Sequence, residues 1–224
     1  MKNKILPCII GIITGIANGF LGSGGGTVVV PCLEKFMKTE PHKAHATAIA
    51  IILPLTVISA FLYYYKLHVD LKTLGLVSIG GIAGGLTGAK LLNYSRSEIT
   101  IMALIITGFL SGIIGGMGIG GGTILIPIMT IFLGFDQKTA QAVNLIYFIP
   151  TAITALTIHI KNKQIEKNNL WLLIVFGIIG TIIGTLCALK LDDTILRKCF
   201  SVFLLIVGAY EIYKGFKAKN TNKN

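Results

Sequence analysis

Long stretches without charge recur along this chain, separated by short polar segments that carry most of its charged residues. Six of these stretches are almost wholly apolar, and a seventh has charges only near its ends; they cover residues 5–21, 44–65, 73–92, 99–117, 140–160, 169–189 and 195–213. A membrane-spanning helix needs about 20 apolar residues, within a range of roughly 17–25. The pattern therefore predicts an all-α membrane protein with about seven transmembrane helices.

Two further apolar runs, at residues 28–33 and 124–133, are too short to span a bilayer. Each follows a glycine-rich break. Non-helical backbone at membrane depth is tolerated where protein or a water-filled cavity satisfies its polar groups. We interpret the two runs as re-entrant or half-helix arms, with a surface turn as the alternative.

The glycine-rich break occurs twice, 96 residues apart, and each copy leads through an apolar run to a proline, Pro31 or Pro127. Pro54 and Pro150 match at the same offset. The two copies of the break contain Gly22, Gly24, Gly25, Gly26 and Thr27, and Gly118, Gly120, Gly121, Gly122 and Thr123. Glycines and prolines in register indicate an internal duplication, and a repeat that interrupts hydrophobic segments at matching places points to a transporter binding site.

The duplication divides a single integral membrane domain, 1–224, into repeat one (8–92), repeat two (103–189), an additional carboxyl-terminal span (195–213) and a polar tail (214–224). Three full spans per repeat would place the second copy upside down in the membrane, as in transporters built from inverted repeats. If the short arms cross fully, each repeat has four crossings and the inversion fails. Both alternatives remain open at this point.

Composition supports the membrane assignment. The chain is 53% hydrophobic and 13% charged, with a mean hydropathy of +0.78, whereas soluble domains average about 25% charged residues. The formal net charge is +11, but lysines and arginines are scattered over every loop and both ends. This pattern indicates membrane topology and argues against a nucleic-acid partner. We expect a multi-pass protein of the cell membrane whose partners are the lipid bilayer and a small anionic substrate; a homo-oligomer is also open.

The doubled GxGGG element, the apolar stretch ending in proline and the segment 44–47 (Ala-His-Ala-Thr) that opens the next span resemble the TauE/SafE family, the sulfite exporter or toluene-sulfonate uptake permease family. The resemblance covers nearly the whole chain. It implies an integral membrane carrier of sulfite, organosulfonates or related sulfur-containing oxyanions. The second copy departs from this pattern at residues 140–144 (Ala-Gln-Ala-Val-Asn), which affects the side-chain contacts expected in that half.

The glycine-rich turns themselves favour an anion. Successive backbone N–H groups in such a turn form an anion-binding nest, and a helix that starts after it adds the positive end of its dipole. Thr27 and Thr123 lie where a helix N-cap is expected. Two turns from inverted repeats could face each other across one site, with Asn144 inside an apolar span as a further substrate contact or a helix–helix hydrogen bond.

The acidic residues all lie in predicted loops, arms or span ends, although cation carriers and proton relays usually place a carboxylate within the membrane. This distribution disfavours a cation substrate. There is no Ser/His/Asp, metal-ligand or paired-carboxylate arrangement, so we expect no enzyme activity, no metal and no cofactor.

His45 lies at a span end, where proton coupling and a structural hydrogen bond are the alternatives. Pro31, Pro127, Pro54 and Pro150 are candidate gating or hinge positions, with simple kinking as the other interpretation. Glycines at four-residue spacing along several spans predict close helix packing. The sequence thus favours a carrier of small oxyanions working by alternating access; the alternative is a non-transporting structural or accessory subunit.

Overall fold

The computed structural model describes residues 5–22, 25–67, 96–116, 118 and 120–221. This described part is all-helical and contains no strand. Its eight helices are α1 (Ile5–Leu21), α2 (Gly26–Phe36), α3 (Pro41–Lys66), α4 (Arg96–Gly116), α5 (Gly122–Pro127), α6 (Gln137–Lys161), α7 (Leu170–Lys190) and α8 (Asp193–Thr221). A π-helical segment, Ile128–Phe132, continues α5.

Six of the seven predicted spans coincide with helices, because uncharged apolar runs bounded by polar residues mark helix ends well in a membrane protein. Three of the helices, α3, α6 and α7, are long and apolar enough to cross a membrane. The two predicted arms are short helices, of 11 residues for α2 and 6 for α5 before its π-helical continuation. Residues 73–92 lie outside the described part, so the total of seven spans stays a prediction.

Glycines join α1 to α7. A Cβ atom built on Gly15 would come 2.7 Å from the backbone nitrogen of Thr181, and one on Gly184 would come 2.9 Å from the Cα of Ile16. The Thr181 hydroxyl donates a hydrogen bond to the Gly15 carbonyl at 3.1 Å. Because lipid provides no hydrophobic force between helices, such close backbone contact is a main source of their association. The packing role predicted for spaced glycines is confirmed at this interface.

The repeat-equivalent helices α3 and α6 pack antiparallel. Tyr63, near the end of α3, donates a hydrogen bond to Gln141 near the start of α6, at 2.7 Å. At the opposite end, the Thr47 hydroxyl accepts a hydrogen bond from the backbone N–H of Glu166, just beyond α6, at 2.8 Å.

The other pair of equivalent helices, α1 and α4, follows the same rule. Contacts run from α1 to α3 between Asn18 and Ser59, and from α4 to α6 between Gly108 and Tyr147 and between Gly116 and His159. Gly177 of α7 lies against Gly11 of α1 and Leu55 of α3. Further along α7, Thr185 lies against Gly19 of α1 and Ser59 of α3. These contacts show that α1 is parallel to α3, as α4 is to α6. Opposite directions of equivalent helices are what an inverted repeat requires; the inversion itself stays a prediction, because the connection through residues 68–95 lies outside the described part.

The carboxylate of Asp193, at the start of α8, accepts hydrogen bonds from the backbone N–H groups of Gln137 at 2.6 Å and Lys138 at 3.0 Å. It thereby satisfies donors that the first turn of α6 would otherwise leave unpaired. The carboxylate also lies at the positive end of the α6 dipole. This contact fixes the end of α6 that approaches the first glycine-rich turn. Beyond it α8 remains helical to Thr221, through most of the segment predicted as a polar tail.

Candidate functional site

The first glycine-rich turn connects α1 to α2 through left-handed backbone. Gly22 has φ +65° and Gly25 has φ +62°, a conformation that only glycine adopts without steric cost. The Gly22 N–H bonds the Asn18 carbonyl at 3.0 Å, and the Gly25 carbonyl accepts the first bonds of α2. The N–H groups of Gly26 and Thr27 come too early in α2 to have an acceptor within the helix. Gly24 lies outside the described residues.

This turn is held between helices of both repeats. A Cβ atom on Gly22 would come 2.6 Å from the Cβ of Gln141, and Asn144 donates its side-chain N–H to the Gly22 carbonyl at 2.6 Å. A Cβ atom on Gly25 would come 2.9 Å from the carbonyl oxygen of Thr14 in α1. The first turn therefore contacts α6, a helix of repeat two, as closely as its own α1.

Several buried polar atoms around the first turn have no hydrogen-bond partner among the described residues. They are the Nε2 of Gln141, the Oδ1 of Asn144 and the hydroxyls of Thr14 and Thr27. The side chains of Gln141, Asn144 and Thr14 are almost completely buried. Buried polar groups are usually paired, so this cluster could accommodate a polar ligand or ordered water.

The second turn repeats the arrangement with the helices exchanged. Gly118 has φ +85° and Gly120 has φ +100°. A Cβ atom on Gly118 would come 3.0 Å from the backbone carbonyl carbon of His45 and overlap its oxygen. Gly121 packs on Ser111 of α4, whose hydroxyl donates to the Gly121 carbonyl at 2.8 Å. Gly122 is the first residue of α5.

The two turns are related by the 96-residue offset, and their first glycines, Gly22 and Gly118, lie far apart. Gly22 contacts Gln141, which is bonded to Tyr63, whereas Gly118 contacts His45 at the other end of α3. Roughly 27 Å of helix axis separates His45 from Tyr63 at 1.5 Å per residue. Gly22 and Gly118 therefore do not meet, since each packs against the early part of the equivalent helix of the other repeat, whereas Gly25 lies against Thr14 in the middle of α1 and Gly121 against Ser111 in the middle of α4. The facing of the two helix starts across one site stays a prediction.

The two threonines do not cap their helices, contrary to expectation. Gly25 and Gly121 occupy the N-cap positions, with no side-chain capping bond, and Thr27 and Thr123 lie one residue inside the helices. Thr123 donates its hydroxyl to the Gly120 carbonyl at 3.1 Å, while the Thr27 hydroxyl is buried without a partner among the described residues. A glycine cap brings no side-chain acceptor for the first N–H groups of its helix. At the second turn the Thr123 N–H instead bonds the Gly120 carbonyl, at 3.5 Å.

The four candidate hinge prolines all lie within helices. Pro31 interrupts α2, Pro54 lies in the middle of α3, and Pro150 takes the equivalent place in α6. Pro127 ends α5 where the π-helical segment begins. Each proline removes one backbone hydrogen bond, and π-helical turns often occur at functional sites. Their positions fit either kinking or hinging.

A buried polar cluster that the sequence interpretation did not single out lies beside the first turn. Asn18 of α1 donates to the Ser59 hydroxyl at 3.2 Å and accepts from the Thr56 hydroxyl at 3.3 Å. Ser59 also bonds the Thr185 hydroxyl of α7 at 3.0 Å. All four side chains are fully buried. Asn18 and Gln141 could have been identified from the sequence, because each is an amide within an apolar run.

The end of the molecule near His45 is closed by the loop between α6 and α7. Gln164 of this loop bonds His159 at 2.7 Å and also contacts His42 at the start of α3. The other ring nitrogen of His159 faces the Gly116 carbonyl at 3.3 Å. Together with the Thr47 bond, these contacts tie the loop to both repeats close to the second turn.

With this geometry in place, comparison with known proteins identifies the family. The family model described as "Sulfite exporter TauE/SafE" matches residues 1–112 and again residues 101–224, which together cover the whole chain. The chain belongs to the TauE/SafE family. The double match also agrees with the internal duplication, because each half of the chain matches the family separately.

Individual relatives of this TauE/SafE chain are distant. The "Probable membrane transporter protein YunE" of Bacillus subtilis is 22% identical over 94% of this chain and 98% of its own length. A probable membrane transporter of Methanocaldococcus jannaschii is 32% identical over 48% of this chain and 43% of its own length. The "Sulfite exporter TauE/SafE family protein 2" of Arabidopsis thaliana is 30% identical over 50% of this chain and 27% of its own length. No solved structure matches the chain.

Membership of the TauE/SafE family and the three helices long enough to span a bilayer make the chain a multi-pass membrane transporter of that family. Its exposed surface fits this environment, with large apolar side chains facing outward along α1, α7 and α8. In water such a surface would favour aggregation, whereas in lipid it is the expected exterior.

Proposed function

We propose that this TauE/SafE chain transports a small oxyanion, such as sulfite or an organosulfonate, by alternating access, and that the first glycine-rich turn holds the substrate. The observation that carries the proposal is the contact between Gly22 and Gln141, which brings a glycine-rich turn of one repeat against buried, incompletely paired amides of the other.

The donors at this turn suit an oxyanion. The first turn offers the open N–H groups at the start of α2, at the positive end of the helix dipole, and its Gly22 end lies against Gln141, whose Nε2 has no partner among the described residues. Backbone donors cost no reorganisation, and an oxyanion can accept from several of them at once. A lysine or arginine is not needed to bind one negative charge in such a site.

The distribution of acidic residues supports the same substrate sign. No Asp or Glu is among the fully buried residues of the described part, whereas the buried polar side chains there are amides and hydroxyls. A buried carboxylate would attract a cation and repel an anion. Around the first turn, the described interior therefore offers uncharged hydrogen-bonding groups to a substrate.

Asn144 adds a constraint on the substrate. Its side-chain N–H bonds the Gly22 carbonyl. Its Oδ1 has no partner among the described residues and can only accept a hydrogen bond, so it suits a substrate that donates one. A ligand that carries a hydroxyl as well as anionic oxygens, such as hydrogensulfite, satisfies both Asn144 and the neighbouring donors. The site should therefore prefer a protonated monoanion over a fully ionised oxyanion of the same size.

The placement of Gly22 and Gly118 supports alternating access. These first glycines of the two turns lie at opposite ends of the antiparallel α3–α6 pair, and each packs against a helix of the other repeat. A rocking motion of one repeat against the other would loosen one turn while tightening the equivalent one, as in transporters built from inverted repeats. The closed loop between α6 and α7 would correspond to the shut side.

The test is efflux from proteoliposomes loaded with radiolabelled sulfite, in competition with unlabelled sulfite, small sulfonates and other oxyanions. Purified protein should release the label faster than protein-free vesicles, and oxyanions should compete. Gly25→Leu should abolish release while the protein still inserts. The leucine side chain would clash with Thr14, and position 25 has a left-handed backbone conformation that leucine disfavours. Gly134→Leu is the matched control, since Gly134 also has positive φ but nothing lies within 4 Å of its Cβ position.

Three outcomes would overturn the proposal. Transport of a metal cation with no response to any oxyanion would contradict the substrate sign. Full activity of the Gly25→Leu protein would show that the first turn is structural only. Absence of any solute flux, from protein that is folded and correctly inserted, would favour the non-transporting alternative.

A further inference from the structure

A mostly apolar groove opens on the outer surface where α6 ends and α7 begins, at the end of the molecule that carries the second turn. Its volume is about 760 Å³, and its walls include Leu156 and Ile160 of α6 and Trp171 and Ile174 of α7. This volume lies within the roughly 300–1,000 Å³ typical of small-molecule sites. The groove reaches about one and a half helix turns from the ends of both helices, so it extends from the membrane interface toward the acyl region.

Two lysines, Lys163 and Lys167, line the end of this groove nearest the loop. Both are exposed, and neither is in an ion pair among the described residues. The neighbouring carboxylate, Glu166, is directed to its own loop, since it accepts the Asn168 N–H at 3.1 Å. Two positive charges thus remain available at the interfacial end of an apolar channel.

The loop holds this arrangement in a defined conformation. Lys163 has φ +53° and Asn169 has φ +62°, left-handed values that are uncommon for residues other than glycine. The Lys163 N–H bonds the Ile160 carbonyl at 3.0 Å, and the Glu166 N–H bonds Thr47 on α3. The position of both lysines relative to the groove is therefore set by the fold rather than by a freely moving loop.

Trp171 marks the membrane interface at this groove. It is 73% exposed at the start of α7, and tryptophans at helix ends favour the headgroup level of a bilayer. Basic pockets between transmembrane helices are suited to anionic lipid headgroups.

We propose that this groove binds one anionic phospholipid, with its phosphate between Lys163 and Lys167 and an acyl chain along Leu156, Ile160 and Ile174. Uncharged and zwitterionic lipids would fill the groove less tightly, because they bring no net charge to the lysines.

The chain has one tryptophan, which allows a direct test. The protein is placed in phosphatidylcholine vesicles that contain a small fraction of either brominated phosphatidylglycerol or brominated phosphatidylcholine, and quenching of Trp171 fluorescence is measured. Phosphatidylglycerol should quench more strongly at equal mole fraction. Lys163→Gln with Lys167→Gln should remove the preference, as each lysine near an anionic surface contributes roughly a five-fold effect. Lys163→Glu with Lys167→Glu should reverse it.

Lys35→Gln with Lys38→Gln is the matched control, because Lys35 lies in the last turn of α2 and Lys38 just beyond it, close to the start of α3 and on the same side of the molecule as the loop. The preference should persist in that variant. Equal quenching by both brominated lipids in the unmodified protein, or a preference that survives Lys163→Gln with Lys167→Gln, would overturn the proposal. So would loss of the preference on addition of inorganic phosphate, since the lysines would then be a site for free anions. The measurement does not depend on transport, so its result is separate from the proposed function.

Discussion

Gly22 lies so close to Gln141 that a Cβ atom on the glycine would come 2.6 Å from the Cβ of the glutamine. The equivalent residues of the opposite repeats show the same relationship: Gly118, 96 residues after Gly22, packs on the backbone of His45, 96 residues before Gln141. Each turn thus belongs to one repeat and closes on the other. Substitutions at these contacts should disturb the coupling between repeats as well as the local turn.

Gly22→Ala should strongly destabilise the protein, and Gly134→Ala should not. Both glycines have positive φ, which costs an alanine roughly 1–2 kcal/mol. Only at Gly22 does the added methyl group displace another helix, which adds about 1–3 kcal/mol of overpacking. Thermal unfolding in detergent measures the difference. Equal melting temperatures for the two variants would show that α6 shifts to accommodate the methyl group without loss of stability.

Gln141→Leu should reduce sulfite transport far more than it reduces stability, because it removes the buried Nε2 donor and leaves the Tyr63 hydroxyl with the more distant Gly19 carbonyl at 3.3 Å. An unpaired buried polar group costs about 1–3 kcal/mol. Gln141→His should keep more activity, since histidine occupies the equivalent place, 45, against the second turn. Transport rates at several sulfite concentrations separate binding from turnover, and equal loss in both variants would argue against a binding role.

The helix bounds could be predicted from the sequence because a membrane imposes a local rule: an uncharged run of sufficient length becomes a helix. The packing of Gly15 against α7 could also be anticipated from glycine spacing. These features depend on neighbours in sequence or on composition, and so they are visible without knowledge of the contacts.

The arrangement of the site depends on contacts between residues far apart in the chain, and most of it could not be predicted from the sequence. The exchange that places Gly22 on Gln141 requires the relative direction of α3 and α6, which no local pattern encodes. Ser59 and Thr185 look like ordinary small residues of apolar helices, where hydroxyls often bond the preceding turn. Only the fold shows that they bond each other at 3.0 Å. Thr27 was misassigned because a glycine can take the N-cap position itself.

Gly180→Ala should weaken the protein although alanine normally favours a helix by about 1 kcal/mol over glycine. The new methyl group would come 3.0 Å from the Cα of Ile12 and overlap its carbonyl oxygen, forcing α1 and α7 apart. Gly208→Ala in α8 is the control, because nothing lies within 4 Å of its Cβ position. Yield of monodisperse protein and its melting temperature should fall only for Gly180→Ala; unchanged values there would remove the packing argument.

Thr47→Val should loosen the loop between α6 and α7. It removes the acceptor of the Glu166 N–H at the cost of one hydrogen bond, roughly 1 kcal/mol. A cysteine at position 165, in a background without the native cysteines, should then react about five-fold faster with a water-soluble maleimide. Thr154→Val, which removes only a bond within α6, is the control and should leave the rate unchanged.

The antiparallel packing of α3 and α6 predicts that their carboxyl-terminal ends face opposite sides of the membrane. Lys66 and Lys163 mark those ends. Single cysteines at the two positions, in a background without the native cysteines, should therefore be labelled by an impermeant reagent from different sides of intact cells or oriented vesicles. Permeabilisation should make both accessible, which controls for burial. Labelling of both from the same side would contradict the inverted relation of the repeats and, with it, the rocking motion on which alternating access depends.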